Sequence, residues 1–328
     1  MFIVTGGAGF IGSAIIAALN QRNVTDILIV DELSTSPKWK NLRALQFSDY
    51  IEKDDFLKQV LDNRAPKSVQ GIFHMGACSS TTEMDCSFLI KNNFEYTKHL
   101  AQWACREGIR FVYASSAATY GAGEKGFNDD QQPLYDLRPL NPYGYSKQIF
   151  DCWAGKTGLL DKIVGLKYFN VFGPNEYHKG DMCSYVLKGH QQIKASSQVT
   201  LFKSGNPEYA HGEYVRDFIY IKDAVAMTLF FMDNPELGGL YNVGTGRAHT
   251  WNEYVSAIFA ALDLKPAIEF VDMPESIRGQ YQYYTQANMD KLHQAGYDRP
   301  CIPLKEAVAD YVLNYLESNE YLSAGNMA

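Results

Sequence analysis

Phe2-Ile3-Val4-Thr5-Gly6-Gly7-Ala8-Gly9-Phe10-Ile11-Gly12 runs from a short apolar segment into glycines at 6, 9 and 12, and residues 15–19 continue as an apolar helical stretch. That order predicts a strand, a tight turn and a helix. Gly6, Gly9 and Gly12 allow the turn, a close approach to the backbone and tight helix–strand packing. The free N–H groups and dipole at the helix start then favour a pyrophosphate. Asp31 closes the next predicted strand about 20 residues further on, where a carboxylate can accept from a ribose 2′-hydroxyl. Lys38 and Lys53 pull the other way, because either can meet a 2′-phosphate. Spacing alone leaves NAD and NADP both open.

Outward from this segment, short apolar runs alternate with helical stretches. The predicted strands are 2–5, 27–31, 71–75, 111–115 and 163–169, each bounded by polar residues or glycine. Strands buried on both faces of a parallel sheet read this way. The intervening lengths suit crossover helices. The pattern changes after Gly173-Pro174, where 175–212 is richer in polar residues. A further strand is predicted at 217–221, followed by a helix to about Met232, then a strand and turn at 241–246 and helices at 252–262 and 304–317. The expected fold is α/β: a Rossmann-type doubly wound parallel sheet with a smaller, mixed α/β C-terminal substrate domain. The dinucleotide-binding domain is drawn as 1–173 plus about 214–247, and the substrate domain as about 174–213 plus 248–328.

Composition narrows the function classes. The chain has 328 residues, 46% of them hydrophobic and 20% charged, enough apolar content to exclude a disordered chain. A net charge of -7 without a block of like charges gives no nucleic-acid surface. No apolar run reaches the ~18 residues of a membrane span, so no membrane partner is expected. The N-terminus has no basic lead, so no removable signal is expected and the expected compartment is the cytoplasm. Cys78, Cys86, Cys105, Cys152, Cys183 and Cys301 form no C-x-x-C pair. They read as free thiols, and no metal site is expected.

The chemistry concentrates in Asn141-Pro142-Tyr143-Gly144-Tyr145-Ser146-Lys147. Asn141 suits a helix N-cap and Pro142 the first helical position. Tyr143 and Lys147 then share one helix face. A phenol ordinarily titrates near ~10, so it needs a neighbouring ammonium to act as a base at neutral pH. Upstream, Ser116 follows a strand within Ala114-Ser115-Ser116-Ala117-Ala118, and strand C-termini line the crevice of such a sheet. Ser116 can therefore hydrogen-bond the reacting oxygen. His74 ends a strand and reads as a structural histidine rather than a ligand.

On these segments the chain resembles the extended short-chain dehydrogenases/reductases. Within them it is similar, over nearly its full length, to the ADP-L-glycero-D-manno-heptose 6-epimerases. The matching segments are TGGAGFIG, FHMGACSSTTE, YASSAATYG, NPYGYSK, YFNVFGP, the HKG at 178–180, RDFIYI and QYYTQA. The resemblance implies an enzyme that epimerises C6″ of ADP-D-glycero-D-manno-heptose through a transient ketone, using tightly bound NADP, and supplies the lipopolysaccharide core. It implies a homopentamer. It implies Tyr143 as one acid/base and Lys179 as the other, with Lys147 holding tyrosine and ribose. Around the cofactor it implies Phe10, Ile11, Asp31, Glu32, Lys38, Lys53, Met75, Gly76, Ala77, Cys78, Ser79, Asn92, Val171 and Lys179. Around the substrate it implies Ser116, Asn170, Asp181, Lys188, Phe202, Lys203, Ser204, Gly205, Arg216 and Tyr281.

Some positions depart from the family pattern. Asp181 stands where the best-known members carry Ser, Lys188 where they carry His, and Met75 replaces an acidic residue. The loop 207–213 is longer than in some members. These bear on substrate contacts rather than on the redox step. Among rivals, a 4,6-dehydratase needs an acid and a base beside Ser116, where this chain has Ala117 and Ala118. A UDP-hexose 4-epimerase shares the Tyr/Lys pair but not the HKG and GACSSTTE segments. A redox-silent NADP sensor has no need of Ser116, Tyr143 and Lys147.

Overall fold

The computed structural model describes residues 1–130, 134–275 and 282–327. Its strands run β1 (Phe2–Thr5), β2 (Ile27–Asp31), β3 (Asp49–Glu52), β4 (Gly71–His74), β5 (Arg110–Ser116), β6 (Val164–Tyr168), β7 (Asn170–Phe172), β8 (Val199–Phe202), β9 (Val215–Tyr220), β10 (Gly239–Val243), β11 (Ala248–Thr250) and β12 (Ile268–Val271). The helices that matter below are α1 (Phe10–Gln21), α2 (Lys53–Leu61), α3 (Cys86–Leu89), α4 (Tyr96–Glu107), α5 (Pro142–Lys156), α6 (Tyr185–Ser196), α7 (Ile221–Asp233) and α8 (Trp251–Ala261). Seven parallel strands form the central sheet in the order β10-β6-β5-β4-β1-β2-β3. The smaller sheets are β11-β9-β7 and β12-β8.

Alternation along each strand explains the continuous apolar runs. Val4, Ile29, Phe73 and Val112 face one core, which α1 and α7 cover with Ile15, Ile16, Val225 and Leu229. Ile3, Leu28, Ile72 and Phe111 face the other, with Phe56 of α2, Leu100 and Trp103 of α4 and Phe150 of α5. Both faces of the sheet are thus dry, as a doubly wound parallel sheet requires. The first core runs on into the last third of the chain through Val255 and Ile258 of α8, then Val308 and Tyr311.

The expected doubly wound sheet with a smaller mixed unit is the fold observed. Strands predicted at 2–5 and 27–31 lie at those bounds, and the others shift by one to three residues at their ends. Five of the strands described were not foreseen: β3, β7, β8, β11 and β12, of which β3 alone belongs to the central sheet. Asp49-Tyr50-Ile51-Glu52 forms β3 at the sheet edge, where polar ends meet solvent and no apolar run is needed. The helix predicted over 304–317 is α-helical over Leu304–Tyr311 and then widens into a π-helical turn, Val312–Leu316. Among the described residues no helix is long and apolar enough to cross a membrane.

Helix α5 starts as its sequence predicts. Asn141 is extended, its Oδ1 accepts from the Gly144 N–H at 2.8 Å, and Pro142 occupies the first turn. This cap sets where Tyr143 and Lys147 project. Asn141→Ala should cost about 1 kcal/mol of stability, read as a lower urea midpoint with unchanged slope; an unchanged midpoint would mean that packing alone fixes the helix start.

Candidate active site

One large cavity, about 880 Å³, opens along the C-terminal ends of the central strands. Its floor is backbone. Gly6 adopts φ +65°, and a Cβ there would fall 2.7 Å from the Gly76 Cα. At Gly12 a Cβ would fall 2.1 Å from the Gly6 carbonyl oxygen, so α1 can pack this close only with glycine. No acidic side chain lies in the first turn of α1, which leaves its N–H groups to an anion. This cradle, with glycine at 6, 9 and 12 and no acidic side chain in the first helical turn, fits the diphosphate of a dinucleotide.

A proton-bonded chain locks the floor. The Gly76 N–H donates to Thr5 Oγ1 at 3.2 Å, and Thr5 Oγ1 lies 2.6 Å from His74 Nδ1. His74 Nε2 lies 2.8 Å from Thr97 Oγ1, which donates to the Asn93 carbonyl at 2.5 Å. Each group finds its partner if the ring is neutral with its proton on Nε2. Burial, aided by the Lys147 charge, pushes the imidazole down to about 3. His74 is therefore structural, as read from the sequence.

At the end of β2 the structure joins what the sequence set against each other. Asp31 Oδ2 accepts from the Ala8 N–H at 2.8 Å, and Oδ1 accepts from the Glu32 N–H at 2.7 Å and from Lys38 Nζ at 2.6 Å. Lys53 Nζ lies 3.4 Å from Glu32. Asp31 thus holds Lys38 in the cavity wall rather than competing with it. His178 lines the same cavity beside Asn41, at 3.4 Å, and burial with the Lys179 and Lys38 charges pushes it down to about 4.

Tyr143, Lys147 and Ser116 converge deeper in the cavity. Lys147 Nζ donates to the Ala114 carbonyl at 2.7 Å, and burial pushes it down to about 8. Burial raises the Tyr143 phenol, and a hydrogen bond with Ser116 opposes that. In this state the Lys147 ammonium is engaged with the backbone of β5, so the lowering expected from Tyr-x-x-x-Lys spacing is not what governs Tyr143. Lys179 comes from the loop after β7. Its ammonium stands 5.3 Å from the Phe10 ring centre, and burial lowers it while the buried Glu176 carboxylate opposes the fall. Glu176 is itself fixed by the Ser184 N–H at 2.6 Å.

The cavity wall gathers Phe10, Ile11, Met75, Ala77, Cys78, Ser79, Asn92, Asn170, Val171, Lys179 and Lys188 with the residues above. Other predicted substrate residues lie outside it. The Arg216 guanidinium bonds the Val215 and Gln282 carbonyls. Lys203 pairs with Asp272 at 3.0 Å, Ser204 bonds within its own loop, and Phe202 and Gly205 stand on either side of them. Asp181 meets Lys188 through its backbone carbonyl at 2.7 Å. Tyr281 lies outside the described residues. Sequence reasoning missed an aromatic end wall formed by Tyr185 of α6, Phe218 of β9, and Trp251 and Tyr254 of α8.

The neutral His74 has a measurable consequence. Its folded value lies below the unfolded ~6.5, so as pH falls below 6.5 the unfolded chain takes up a proton that the folded chain refuses. Its contribution is intact above that pH and erodes towards 3. In His74→Gln the acid-side fall of the urea midpoint between pH 6.5 and 4 should be shallower than in the parent; parallel curves would mean that the folded imidazole is charged.

Residues 2–244 match the model of the NAD dependent epimerase/dehydratase family. The ADP-L-glycero-D-manno-heptose-6-epimerase of Nitratidesulfovibrio vulgaris (strain DP4) is 51% identical over 316 residues, covering 96% of this chain and 98% of that one. The Helicobacter pylori ADP-L-glycero-D-manno-heptose-6-epimerase crystal structure superposes with a TM-score of 0.80 at 27% identity over 95% of both chains. A UDP-N-acetylglucosamine 4-epimerase from Methanobrevibacter ruminantium shares the fold, with a TM-score of 0.79 at 22% identity over 97% of this chain and 98% of that one. The chain therefore belongs to the NAD dependent epimerase/dehydratase family and, within it, to the ADP-L-glycero-D-manno-heptose-6-epimerases.

Proposed function

We propose that this chain inverts C6″ of ADP-D-glycero-D-manno-heptose, using a tightly held NADP. The observation that carries the reading is that one cavity receives two proton-handling groups from different elements, Tyr143 from α5 and Lys179 from the loop after β7. A single base cannot serve both faces of a carbon that must be inverted. Bound nicotinamide supplies a hydride acceptor and donor, and its oxidised ring brings a positive charge.

Tyr143 Oη takes the proton of the C6″ hydroxyl as that carbon becomes a ketone. Ser116 Oγ hydrogen-bonds the same oxygen, and Lys147 holds the tyrosine and the ribose. Lys179 Nζ gives the proton to the ketone oxygen when its other face is presented. The partly desolvated ammonium of Lys179 gives up its proton more readily than an exposed lysine does. The Gly6, Gly9 and Gly12 cradle and the N-terminus of α1 would hold the diphosphate.

Lys38 and Lys53 are read as the 2′-phosphate site, which favours NADP over NAD. The support is that the Asp31 oxygens already accept from backbone N–H groups and from Lys38. Asn170, Lys188, Arg216, the 202–205 loop, Asp181 and Tyr281 are proposed to hold the ADP-heptose. For Arg216 this requires its guanidinium to leave the backbone carbonyls. We read the chain as the two units drawn from sequence. Its setting is proposed as a cytoplasmic homopentamer that feeds lipopolysaccharide core assembly.

Purified protein incubated with ADP-D-glycero-D-manno-heptose and no added cofactor should give a mixture of the two C6″ epimers, resolved by chromatography. No conversion even with added NADP, together with turnover of a UDP-hexose, would move the chain to the 4-epimerases. Tyr143→Phe and Lys179→Met should each lower kcat by at least about 100-fold with little change in KM. If Lys179→Met impairs reduction to both epimers equally and slightly, Lys179 only binds. Lys38→Ala should weaken NADP by about 10- to 100-fold and NAD far less, measured by fluorescence titration; equal losses would remove the 2′-phosphate role.

A further inference from the structure

Behind the cavity, α5 and the sheet are joined by a charge pair that the proposed reaction does not itself consume. Asp151 and Lys167 are each 1% exposed, and Lys167 Nζ lies 2.9 Å from Asp151 Oδ2. The carboxylate also accepts from Tyr113 Oη at 2.8 Å and from Ser115 Oγ at 2.7 Å. Lys167 donates to Thr119 Oγ1 at 2.6 Å, and Thr119 donates to the Ser116 carbonyl at 2.8 Å. A Cβ at Gly165 would fall 2.4 Å from Tyr113 Oη, so β6 leaves the space that this phenol fills. Apolar residues of the same volume would pack such a site at least as well as an ion pair. Packing alone does not account for the charges.

What the pair touches points to its use. Tyr113 and Ser115 bind Asp151, and the carbonyl of Ala114 between them receives Lys147 Nζ at 2.7 Å. Thr119 ties the pair to Ser116. Asp151 lies one helical turn beyond Lys147, on the same face of α5. We propose that the Asp151–Lys167 pair is a positioning element for the active site: it fixes the end of β5 that carries Ser116 against α5, and Asp151 supplies the negative charge that keeps Lys147 an ammonium. The proposal rests on the reading of Tyr143 and Lys147 as the working pair.

The surroundings of Lys147 agree. Tyr143 and Asp151 come from its own helix, Lys167 from β6 across the carboxylate, His74 from the end of β4 and Cys78 from the loop after it. His74 is neutral. Burial drives the Lys147 ammonium down, and Asp151 is the foremost group opposing that fall, ahead of Cys78. Both carboxylate oxygens of Asp151 are already taken by donors, so it acts on Lys147 through its field and through the strand it grips.

The titration of Lys147 can be read without turnover, from the pH dependence of its acetylation by acetic anhydride, quantified by peptide mass spectrometry on the full chain. Asp151→Asn should move that titration down by about one pH unit, and Asp151→Glu should restore it. Lys167→Met removes the cation that faces Asp151 and should move the Lys147 titration up, which gives a second reading if Asp151→Asn does not fold. An unchanged titration in folded Asp151→Asn, or an unchanged or lowered one in Lys167→Met, overturns the proposal. If the titration moves as stated while the alkaline limb of kcat stays in place, the field of Asp151 is established and the Tyr143–Lys147 reading of the reaction fails instead.

Discussion

The site depends on one backbone contact. The turn at Gly6 lies so close to Gly76 that a Cβ on Gly6 would fall 2.7 Å from the Gly76 backbone, and Gly6 also has φ +65°, so this turn needs glycine. That contact brings β1 and β4 together at their C-terminal ends and opens the cradle above them. The chain from Gly76 through Thr5, His74 and Thr97 to Asn93 holds it with neutral groups only. Asn93 then reaches Ser146 at 2.9 Å and so ties the floor to the helix that carries Tyr143 and Lys147. The glycine turn and the helix that carries Tyr143 and Lys147 are therefore one hydrogen-bonded assembly.

Around this neutral frame the cavity is a place of partly desolvated charge. Lys147 and Lys179 are both lowered by burial, each with a carboxylate opposing the fall, Asp151 for the first and Glu176 for the second. The arrangement gives the two lysines similar electrostatics within one cavity. Ammonium groups destabilised by burial suit the proton-handling roles proposed for them. At the far end of the cavity the cations are different. Lys38 and Lys53 stay paired with Asp31 and Glu32, which suits binding a fixed anion rather than moving a proton.

Much of this was legible in the sequence because its causes are local. The glycine turn, the strands of 2–5 and 27–31 and the Asn141 cap each follow from a few neighbouring residues. The edge strand 49–52 was hidden because an edge needs no apolar run. The pairing of Lys38 with Asp31 escaped because spacing shows two charges but not that one holds the other. The aromatic end wall and the Asp151–Lys167 pair escaped for a different reason. Their members come from different elements, Asp151 of α5 with Lys167 of β6 and the end wall from α6, β9 and α8, and only the folded topology brings them together. Arg216, implied by the resemblance to hold substrate, bonds the Val215 and Gln282 carbonyls, which no pattern around residue 216 foretells.

Inversion through a ketone requires that the hydrogen on C6″ leave as hydride and return to the same carbon. The most direct measurement uses substrate deuterated at C6″, converted by the holoenzyme in ordinary water, with the product read by NMR. Full retention of deuterium at C6″ in the inverted sugar is predicted. Exchange of that deuterium with solvent during inversion would contradict the hydride route and, with it, the roles given to Tyr143 and Lys179.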